Sequence, residues 1–417
     1  MVSAAQCGWA AEINFTGLGL AAPLSWHFCL GISWRYGDNV GPMASPPTIA
    51  HVIVGLTADG AQRSLQQLIT HSCHQFDHRV YCLGPPTPLS QSLSDAGIAV
   101  HCFPISRLNP ISWLLTLWRL RQVLAAEHAQ LIQGWMYLGN VVASLLSKFS
   151  GHTGHLCWNV RSDVTDLGAE SWTTRWALRI ASWDSMQPDL VIYNSHAAQS
   201  SHAQFGFAQI PDRVIVNGVE STPAVEPEDV MALRDQFNLG QDPVIGMVAR
   251  FHPVKGVEVF LQAAAGLVTA DKKLQILLVG SGMQADNPQL MQIVADCKVP
   301  SANLHLLGQQ DNAAAIMRCM DVLVVASHRE GTPNVLLEAM ASGVACVSTA
   351  VGDAPRLLRD PLRIAPVGDA ARLGQSIQAA LSSGQQWRQA DQHYVAQHHS
   401  IKVCTEQYAS TYKELLG

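Results

Sequence analysis

Two carboxylates, Glu330 and Glu338, are separated by seven residues within the stretch 326–343. The run 321–325 before them is short and apolar, as in a buried strand, and a turn into a new helix is expected after it. This order predicts Glu330 in the loop at the carboxyl end of a strand and Glu338 about two turns into the helix. Free N–H groups in the first helical turn favour anions, so the pair predicts a site for a phosphate or carboxylate. Taken alone, two such glutamates are more often found on a solvated surface.

The residues between the two carboxylates are those that a turn into a helix requires. Gly331 permits a sharp turn, Thr332 can act as the N-cap, and Pro333 is tolerated as a first helical residue. The backbone amides of Gly331, Thr332, Asn334 and Val335 can then bind an anion, whereas Pro333 has no N–H to donate.

From Glu330 to Gly343 the sequence reads Glu-Gly-Thr-Pro-Asn-Val-Leu-Leu-Glu-Ala-Met-Ala-Ser-Gly. This pattern resembles the Glu-x7-Glu signature of retaining glycosyltransferases of family 4, which have the GT-B architecture. The resemblance implies that Glu338 accepts hydrogen bonds from the ribose hydroxyls of a nucleotide and that Glu330 faces the donor sugar. We assign Glu330 to positioning and charge stabilisation of that sugar, and its role as a nucleophile is left open.

A second segment, 246–256, resembles the strand and loop whose arginine and lysine clamp the donor diphosphate in that family. Arg250 and Lys255 occupy the two matching positions. Cations are needed there because negative charge grows on the leaving nucleoside diphosphate, and the sequence contains no evident divalent-metal motif to neutralise it. The alternative is that both are solvated loop cations.

Three glycines extend the resemblance more weakly. Gly280 ends an apolar run and is expected to form a wall of the nucleotide pocket, and Gly308 resembles the loop that contacts the base. Gly60 lies in a segment, 55–63, that resembles the glycine-rich loop before the first helix. Asp59 stands there where the family usually has a second glycine.

The sequence also departs from the family pattern. Many relatives carry a histidine near the reacting bond, but the corresponding segment here, 133–140, contains none. Arg161 is equally compatible with binding an acceptor phosphate and with a structural role. After Gly352 the family often reads Gly-x-x-Glu, whereas this chain has Asp353, so the contacts of that loop cannot be transferred.

The composition is that of a two-domain globular protein. The chain has 417 residues, of which 48% are hydrophobic and 14% charged, with a formal net charge of −6. A chain of this length usually forms more than one core, and an acidic balance argues against nucleic acid as a partner. The ten cysteines are scattered without zinc-ligand spacing, so we expect free thiols and no metal.

Strand-like apolar runs alternate with helix-like runs, which predicts an α/β protein with doubly wound parallel sheets. Two such series in sequence are the GT-B plan, with two Rossmann-like domains facing a cleft. The predicted strands are 49–55, 79–83, 99–103, 131–133, 155–159, 190–193 and 213–216, then 244–249, 274–279, 304–307, 322–325, 345–348 and 362–364. The predicted divisions are a disordered or mis-started extension, 1–42, an acceptor-binding domain, 43–219, a linker, 220–240, a nucleotide-sugar-binding domain, 241–400, and a helix, 401–417, that crosses back to the first domain.

Two segments raise the question of a membrane. Residues 111–121 mix tryptophan, leucine and arginine, which fits either contact with a membrane surface or a largely buried helix with two snorkelling arginines. Trp26 and Trp34 lie in an uncharged stretch that is too interrupted for a confident membrane span.

These observations predict a cytoplasmic, metal-independent, retaining glycosyltransferase, at work in the cytoplasm or at the inner face of the membrane. It would transfer a sugar from a nucleotide-diphosphate sugar to a polysaccharide or lipid-linked acceptor, with no other cofactor. Two alternatives stay open: a nucleotide-sugar epimerase of GT-B fold, and a non-catalytic nucleotide-sugar-binding relative.

Overall fold

A computed structural model describes most of the chain from residue 45 onward. The described ranges are 45–56, 60–105, 110–164, 171–220 and 226–417. The interpretation of residues 1–42 as an extension therefore lies outside the described residues. From Pro46 to Gly417 the chain forms one compact unit.

The first half of this unit is built on a seven-stranded sheet in which every pair of neighbours is parallel. Its strands are β1 (Thr48–Ile53), β2 (Asp77–Cys82), β3 (Ala99–Cys102), β4 (Leu131–Trp135), β5 (His155–Val160), β6 (Leu190–Tyr193) and β7 (Asp212–Val214). Their spatial order is β3-β2-β1-β4-β5-β6-β7. The β4 strand is buried along its whole length, as expected for a sheet that is covered on both faces.

Within the described ranges, six helices cover the two faces of this sheet. They are α1 (Gly60–Ser72), α2 (Pro88–Asp95), α3 (Pro110–Glu127), α4 (Met136–Phe149), α5 (Trp172–Asp184) and α6 (His196–Phe205). Buried side chains of α3, α4, α5 and α6 share one apolar cluster against one face of the sheet. Buried leucines of α1 and α2 belong to the cluster on the opposite face.

The second half contains a six-stranded parallel sheet of the same kind. Its strands are β8 (Val244–Val248), β9 (Gln275–Val279), β10 (Leu304–Gly308), β11 (Val322–Val325), β12 (Ala345–Thr349) and β13 (Ile364–Ala365), in the order β10-β9-β8-β11-β12-β13. Its helices are α7 (Pro227–Gln236), α8 (Val257–Ala270), α9 (Pro288–Asp296), α10 (Ala313–Met317), α11 (Asn334–Ala341), α12 (Ala354–Leu358) and α13 (Ala370–His398). The predicted fold class is thus confirmed.

One further helix, α14 (Ile401–Leu416), returns to the first sheet. Its buried residues Cys404, Tyr408, Ala409 and Tyr412 lie in the same apolar cluster as β1 and α1. The Tyr412 hydroxyl donates a hydrogen bond of 2.6 Å to the side-chain oxygen of Gln133 in β4. The predicted return of this helix to the first domain is confirmed.

One local prediction meets a different structure. The strand predicted at 362–364 begins two residues later, because the Asp360 side chain accepts from the Leu362 amide and starts a short 3-10 turn, Pro361–Arg363. The predicted linker, 220–240, contains α7, and residues 221–225 lie outside the described part.

Of the helices that the structure describes, none combines the length and the apolar character that a bilayer crossing requires.

Candidate active site

A cavity of about 1100 Å³ lies between the carboxyl ends of the two sheets. In parallel α/β sheets this is the edge where ligands bind. Of the predicted site residues, those that line it are Gly60, Arg250, Lys255, Glu330, Gly331, Thr332, Asn334, Val335 and Glu338. The structure therefore brings nine of the predicted positions, from both halves of the chain, to one place.

Glu330 and Lys255 form an ion pair inside this cavity. The Lys255 Nζ lies 2.6 Å from Glu330 Oε1, and the Ser327 hydroxyl donates to the same oxygen at 2.7 Å. The two charged side chains are 23% and 15% exposed. Lys255 is thus held by Glu330, and its ammonium group keeps further donors for a phosphate.

Two glycines allow the loops that carry this pair to approach closely. Gly256 has a φ of +64°, and a Cβ there would lie 2.0 Å from the Ala326 carbonyl oxygen. Gly352 has a φ of +50°, and its Cβ would lie 1.9 Å from the carbonyl oxygen of Gly331. A side chain at either position would force the loops around Glu330 apart.

Glu338 lies in α11, which begins at Asn334, so this carboxylate sits just over one turn into the helix rather than the predicted two. Burial raises the pKa of Glu338, and the nearby Arg63 guanidinium opposes that rise. Arg63 belongs to α1 of the first half and is exposed in the cavity. A carboxylate of one half therefore faces a cation of the other across the cleft.

The prediction that Thr332 caps the new helix is wrong. The helix starts at Asn334 with Pro333 at the cap position and no side-chain cap bond. The Thr332 hydroxyl instead donates a hydrogen bond of 2.7 Å across the cleft to the carbonyl oxygen of Asn194. Gly331 does not adopt a positive φ, so the turn itself does not require glycine. A Cβ at this position would lie 3.3 Å from the Asn194 side-chain oxygen. Glycine therefore allows the loop to lie close to Asn194.

Arg250 and Arg63 are the exposed cations of the cavity that form no ion pair within the described ranges. Arg329 also lines the cavity, but its Nε lies 3.4 Å from the buried carboxylate of Asp163. Within the described residues, the cavity thus contains two guanidinium groups without an ion-pair partner beside the Lys255–Glu330 pair. This arrangement suits a ligand with several negative charges.

Gly280 and Gly308 are not among the residues that line the cavity. The Gly280 amide donates to the Gly308 carbonyl at 2.7 Å, and both residues have a positive φ. Their predicted contact with a nucleotide stays a prediction.

Arg161, for which two roles were open, is already occupied by protein groups. Its guanidinium donates to Ser64 Oγ at 2.8 Å and to the Tyr408 hydroxyl at 3.1 Å. It also donates to Asn217, whose amide in turn donates to the side chain of Asn334. The geometry favours the structural role, since Arg161 joins β5, α1, α14 and, through Asn217, the start of α11.

Asp353 makes the cross-cleft contact that sequence reasoning missed. Its carboxylate accepts from the amides of His196 and Ala197 at 2.8 and 3.0 Å, and it is 3% exposed. These amides open α6, so a residue of the second half caps a helix of the first. The partners are separated by 157 residues, and no local pattern signals such a contact.

Two family models match the chain, and together they cover every strand of the two sheets except β1. "Glycosyltransferase Family 4" matches residues 58–222, and "Glycosyl transferases group 1" matches residues 242–383. The chain belongs to the family 4 glycosyltransferases. The resemblance inferred from Glu330 to Gly343 is confirmed.

Individual relatives match this family 4 chain in part. The N-acetyl-alpha-D-glucosaminyl L-malate synthase of Bacillus anthracis is 34% identical over 145 residues, which cover 34% of this chain and 37% of that protein. The N,N'-diacetylbacillosaminyl-diphospho-undecaprenol alpha-1,3-N-acetylgalactosaminyltransferase of Campylobacter jejuni is 26% identical over 64% of this chain and 72% of its own length. The chain thus spans little more than a third of the Bacillus relative.

Among solved structures, Anabaena Alr3699/HepE in complex with UDP superimposes with a TM-score of 0.76 at 21% identity. The superposition covers 88% of this chain and 100% of the other. At this identity the likeness establishes the shared GT-B fold.

The segment 133–140, which contains no histidine, reaches the cavity through one residue. Met136, at the start of α4, lines the cavity with a φ of +62°, a conformation that is strained for a residue with a side chain. Asn194 also lines the cavity, and its side-chain oxygen is buried without a hydrogen-bond partner among the described residues.

Within the described ranges, no three histidine, cysteine, aspartate or glutamate side chains are arranged to hold a metal ion. The functional groups that line the cavity include carboxylates, guanidinium groups, an ammonium group, amides and the hydroxyls of Ser327 and Thr332.

Proposed function

We propose that this chain is a retaining, metal-independent glycosyltransferase that moves a sugar from a nucleotide-diphosphate sugar to a saccharide or lipid-linked saccharide acceptor. The observation that carries the proposal is the composition of one cavity between the two sheets. It combines Arg250, Arg63 and the Lys255–Glu330 pair with the buried Glu338. We further propose that the enzyme works in the cytoplasm, at the inner face of the membrane.

The cations of the cavity are assigned to the diphosphate. When the sugar–phosphate bond breaks, further negative charge grows on the leaving nucleoside diphosphate, and Arg250 and Lys255 lie on the loop that follows β8. Each charge-assisted hydrogen bond contributes about 1.5–3 kcal/mol, and more in a cleft that excludes water. This chemistry gives the protein a way to stabilise the leaving group without a metal ion.

The two carboxylates are assigned to different parts of the donor. Glu338, in ionised form, can accept from two neighbouring ribose hydroxyls. Glu330 is fixed by Lys255 and Ser327, which suits a group that positions the sugar and balances positive charge on its anomeric carbon.

The names of related proteins support a nucleotide-sugar donor and a lipid-linked acceptor. Alr3699/HepE has been solved with UDP and with UDP-glucose, and the Campylobacter relative is named for transfer onto a diphospho-undecaprenol. UDP-sugars and a lipid diphosphate acceptor are accordingly the first compounds to test.

Thermal-shift measurements with UDP- and GDP-sugars test the donor site. One donor is expected to raise the melting temperature of the wild type, and Glu338→Ala and Arg250→Ala are expected to abolish the shift. Arg372→Ala is the matched control, since Arg372 is a half-buried arginine of α13 that does not line the cavity. No shift with any nucleotide sugar in folded protein would contradict the proposal.

Product analysis tests the reaction class. With donor and acceptor present, we expect release of the nucleoside diphosphate, an unchanged rate in EDTA, and a product whose anomeric proton coupling matches the donor configuration. An inverted product, or rearrangement of the donor sugar without an acceptor, would replace this proposal with another chemistry.

A further inference from the structure

Helix α5 carries a stripe of exposed apolar side chains. Trp172, Trp176, Ile180 and Trp183 follow one another at spacings of four, four and three residues, which places them on one helical face. They are 67%, 57%, 44% and 87% exposed, and Met186, just beyond the helix, is 76% exposed. Large aromatic side chains at this exposure are unusual on a protein surface, and several together mark a contact site.

The neighbouring helices extend this stripe into a wider face. Leu114, Leu115 and Trp118 of α3 are 68%, 52% and 54% exposed, and Phe149 at the end of α4 is 66% exposed. The helices α3, α4 and α5 belong to one layer, because their buried sides share one apolar cluster. The interpretation of 111–121 as largely buried is therefore wrong for its outer side. We call the outer side of these three helices the aromatic face.

The aromatic face is also basic, although the chain carries a net charge of −6. Its helices carry four arginines that form no ion pair with another described residue: Arg119, Arg121, Arg175 and Arg179. The acidic residues of the same helices are engaged, since Asp184 pairs with Lys148 at 2.8 Å and Glu127 with Arg79 at 3.0 Å. The uncompensated charge of this face is thus positive.

We propose that the aromatic face docks on a bilayer surface that contains anionic lipids. Tryptophan is favoured at the level of lipid headgroups, where its ring is buried and its N–H stays wet. Arginines beside it meet the negative surface potential of such a bilayer. This inference goes beyond the proposed transferase reaction and depends on a surface separate from the residues that line the cavity.

Charge decides between a membrane and a second copy of the chain. In a two-fold dimer the same patch lies on both sides of the interface, so the four arginines of one copy would face the same four of the other. Like charges held together in this way oppose association. An anionic lipid surface supplies the missing counter-charge.

Vesicle sedimentation with the full chain tests the inference. The wild type is expected to bind vesicles of phosphatidylcholine with phosphatidylglycerol more tightly than vesicles of phosphatidylcholine alone. Trp176→Ser with Trp183→Ser should weaken binding by about tenfold or more, because two large side chains no longer enter the interface. Met231→Ser with Leu362→Ser is the matched control, since both are exposed apolar residues of the second half.

A second variant isolates the charge. Arg175→Gln with Arg179→Gln should reduce binding to the anionic vesicles and leave the weaker binding to neutral vesicles unchanged. The far-ultraviolet dichroism and the melting temperature of every variant should match the wild type, because all these side chains are on the surface.

Three results would overturn the inference. The first is wild-type protein that binds neither vesicle. The second is binding that survives the double tryptophan variant and is lost in Trp26→Ser with Trp34→Ser, which would place the contact in the N-terminal segment. The third is a wild-type dimer in ultracentrifugation that the double tryptophan variant converts to a monomer, which would make the aromatic face an interface between copies.

Discussion

Replacement of Asp353 by asparagine is expected to loosen the contact between the two halves of the protein. The wild-type carboxylate accepts from the amides of His196 and Ala197 at 2.8 and 3.0 Å and is almost fully buried. Asparagine keeps the size but has one acceptor oxygen, so one amide loses its partner and the other bond loses its charge. Negative charge is also removed from the N-terminus of α6, where it is favourable.

The size of this effect follows from the two bonds. A hydrogen bond to a charged group contributes about 1.5–3 kcal/mol, against about 0.5–1.5 kcal/mol for a neutral one. Loss of one such bond costs about 1.5–3 kcal/mol and neutralisation of the other about 1–1.5 kcal/mol, so the total should be about 2.5–4.5 kcal/mol. Since 1.4 kcal/mol is a factor of ten, the population of the closed arrangement should fall by roughly 60- to 1,600-fold relative to an open one.

Hydrogen exchange and small-angle scattering would measure this change. In Asp353→Asn we expect faster exchange at the amides of His196 and Ala197 and a larger radius of gyration. Ser195→Ala is the matched control, because Ser195 caps the same helix from within its own half by accepting from Ala198 at 2.9 Å. The control should lower the melting temperature without a change in scattering.

The reasoning fails if Asp353→Asn equals the wild type in both measurements, since the carboxylate would then contribute nothing to the closed arrangement. It also fails if Ser195→Ala expands the protein as much as Asp353→Asn does. In that case the stability of α6, rather than the cross-cleft bond, would control the contact.

Three further outcomes are expected. Burial raises the pKa of Glu338, so the folded state binds the carboxyl proton more tightly than the unfolded chain does. Ionisation of Glu338 at neutral pH therefore destabilises the ligand-free protein. Glu338→Gln should raise the melting temperature near pH 7, with no gain near pH 4, and should abolish donor binding. Tyr412→Phe removes the hydroxyl that bonds the buried side chain of Gln133 at 2.6 Å. The free energy of unfolding, measured by urea titration, should fall by about 1–3 kcal/mol. An unchanged urea midpoint would contradict that hydrogen bond. Lys255→Ala and Glu330→Gln should be coupled by about 1 kcal/mol in a double-mutant cycle on stability, and strict additivity would contradict their ion pair.

The sequence predicts the strands well because each buried parallel strand is a short, continuous apolar run. The runs at Leu190–Tyr193 and Val322–Val325 match the observed strands residue for residue. The spacing of Glu330 and Glu338 likewise fixes which loop and which helix carry them, since both belong to one strand–loop–helix unit.

Contacts between the two halves could not be predicted in this way. Thr332 has the residue type of a helix cap, but the competing partner, the Asn194 carbonyl, lies 138 residues away in sequence. The sequence marks Asp353 only as a departure from the family pattern, because its partners are backbone amides, which no sequence identifies. Local propensity yields to tertiary contacts at both positions.

The return of α14 to the first sheet has a consequence for how the protein is made. The apolar cluster that holds β1 and α1 is closed by Tyr408 and Tyr412, which follow β7, Asp212–Val214, by about two hundred residues. At about 5–20 residues per second, a ribosome needs roughly 10–40 s to add that length. During that interval the first half waits at the ribosome with part of its apolar surface uncovered, so we expect it to require a chaperone until the closing helix emerges.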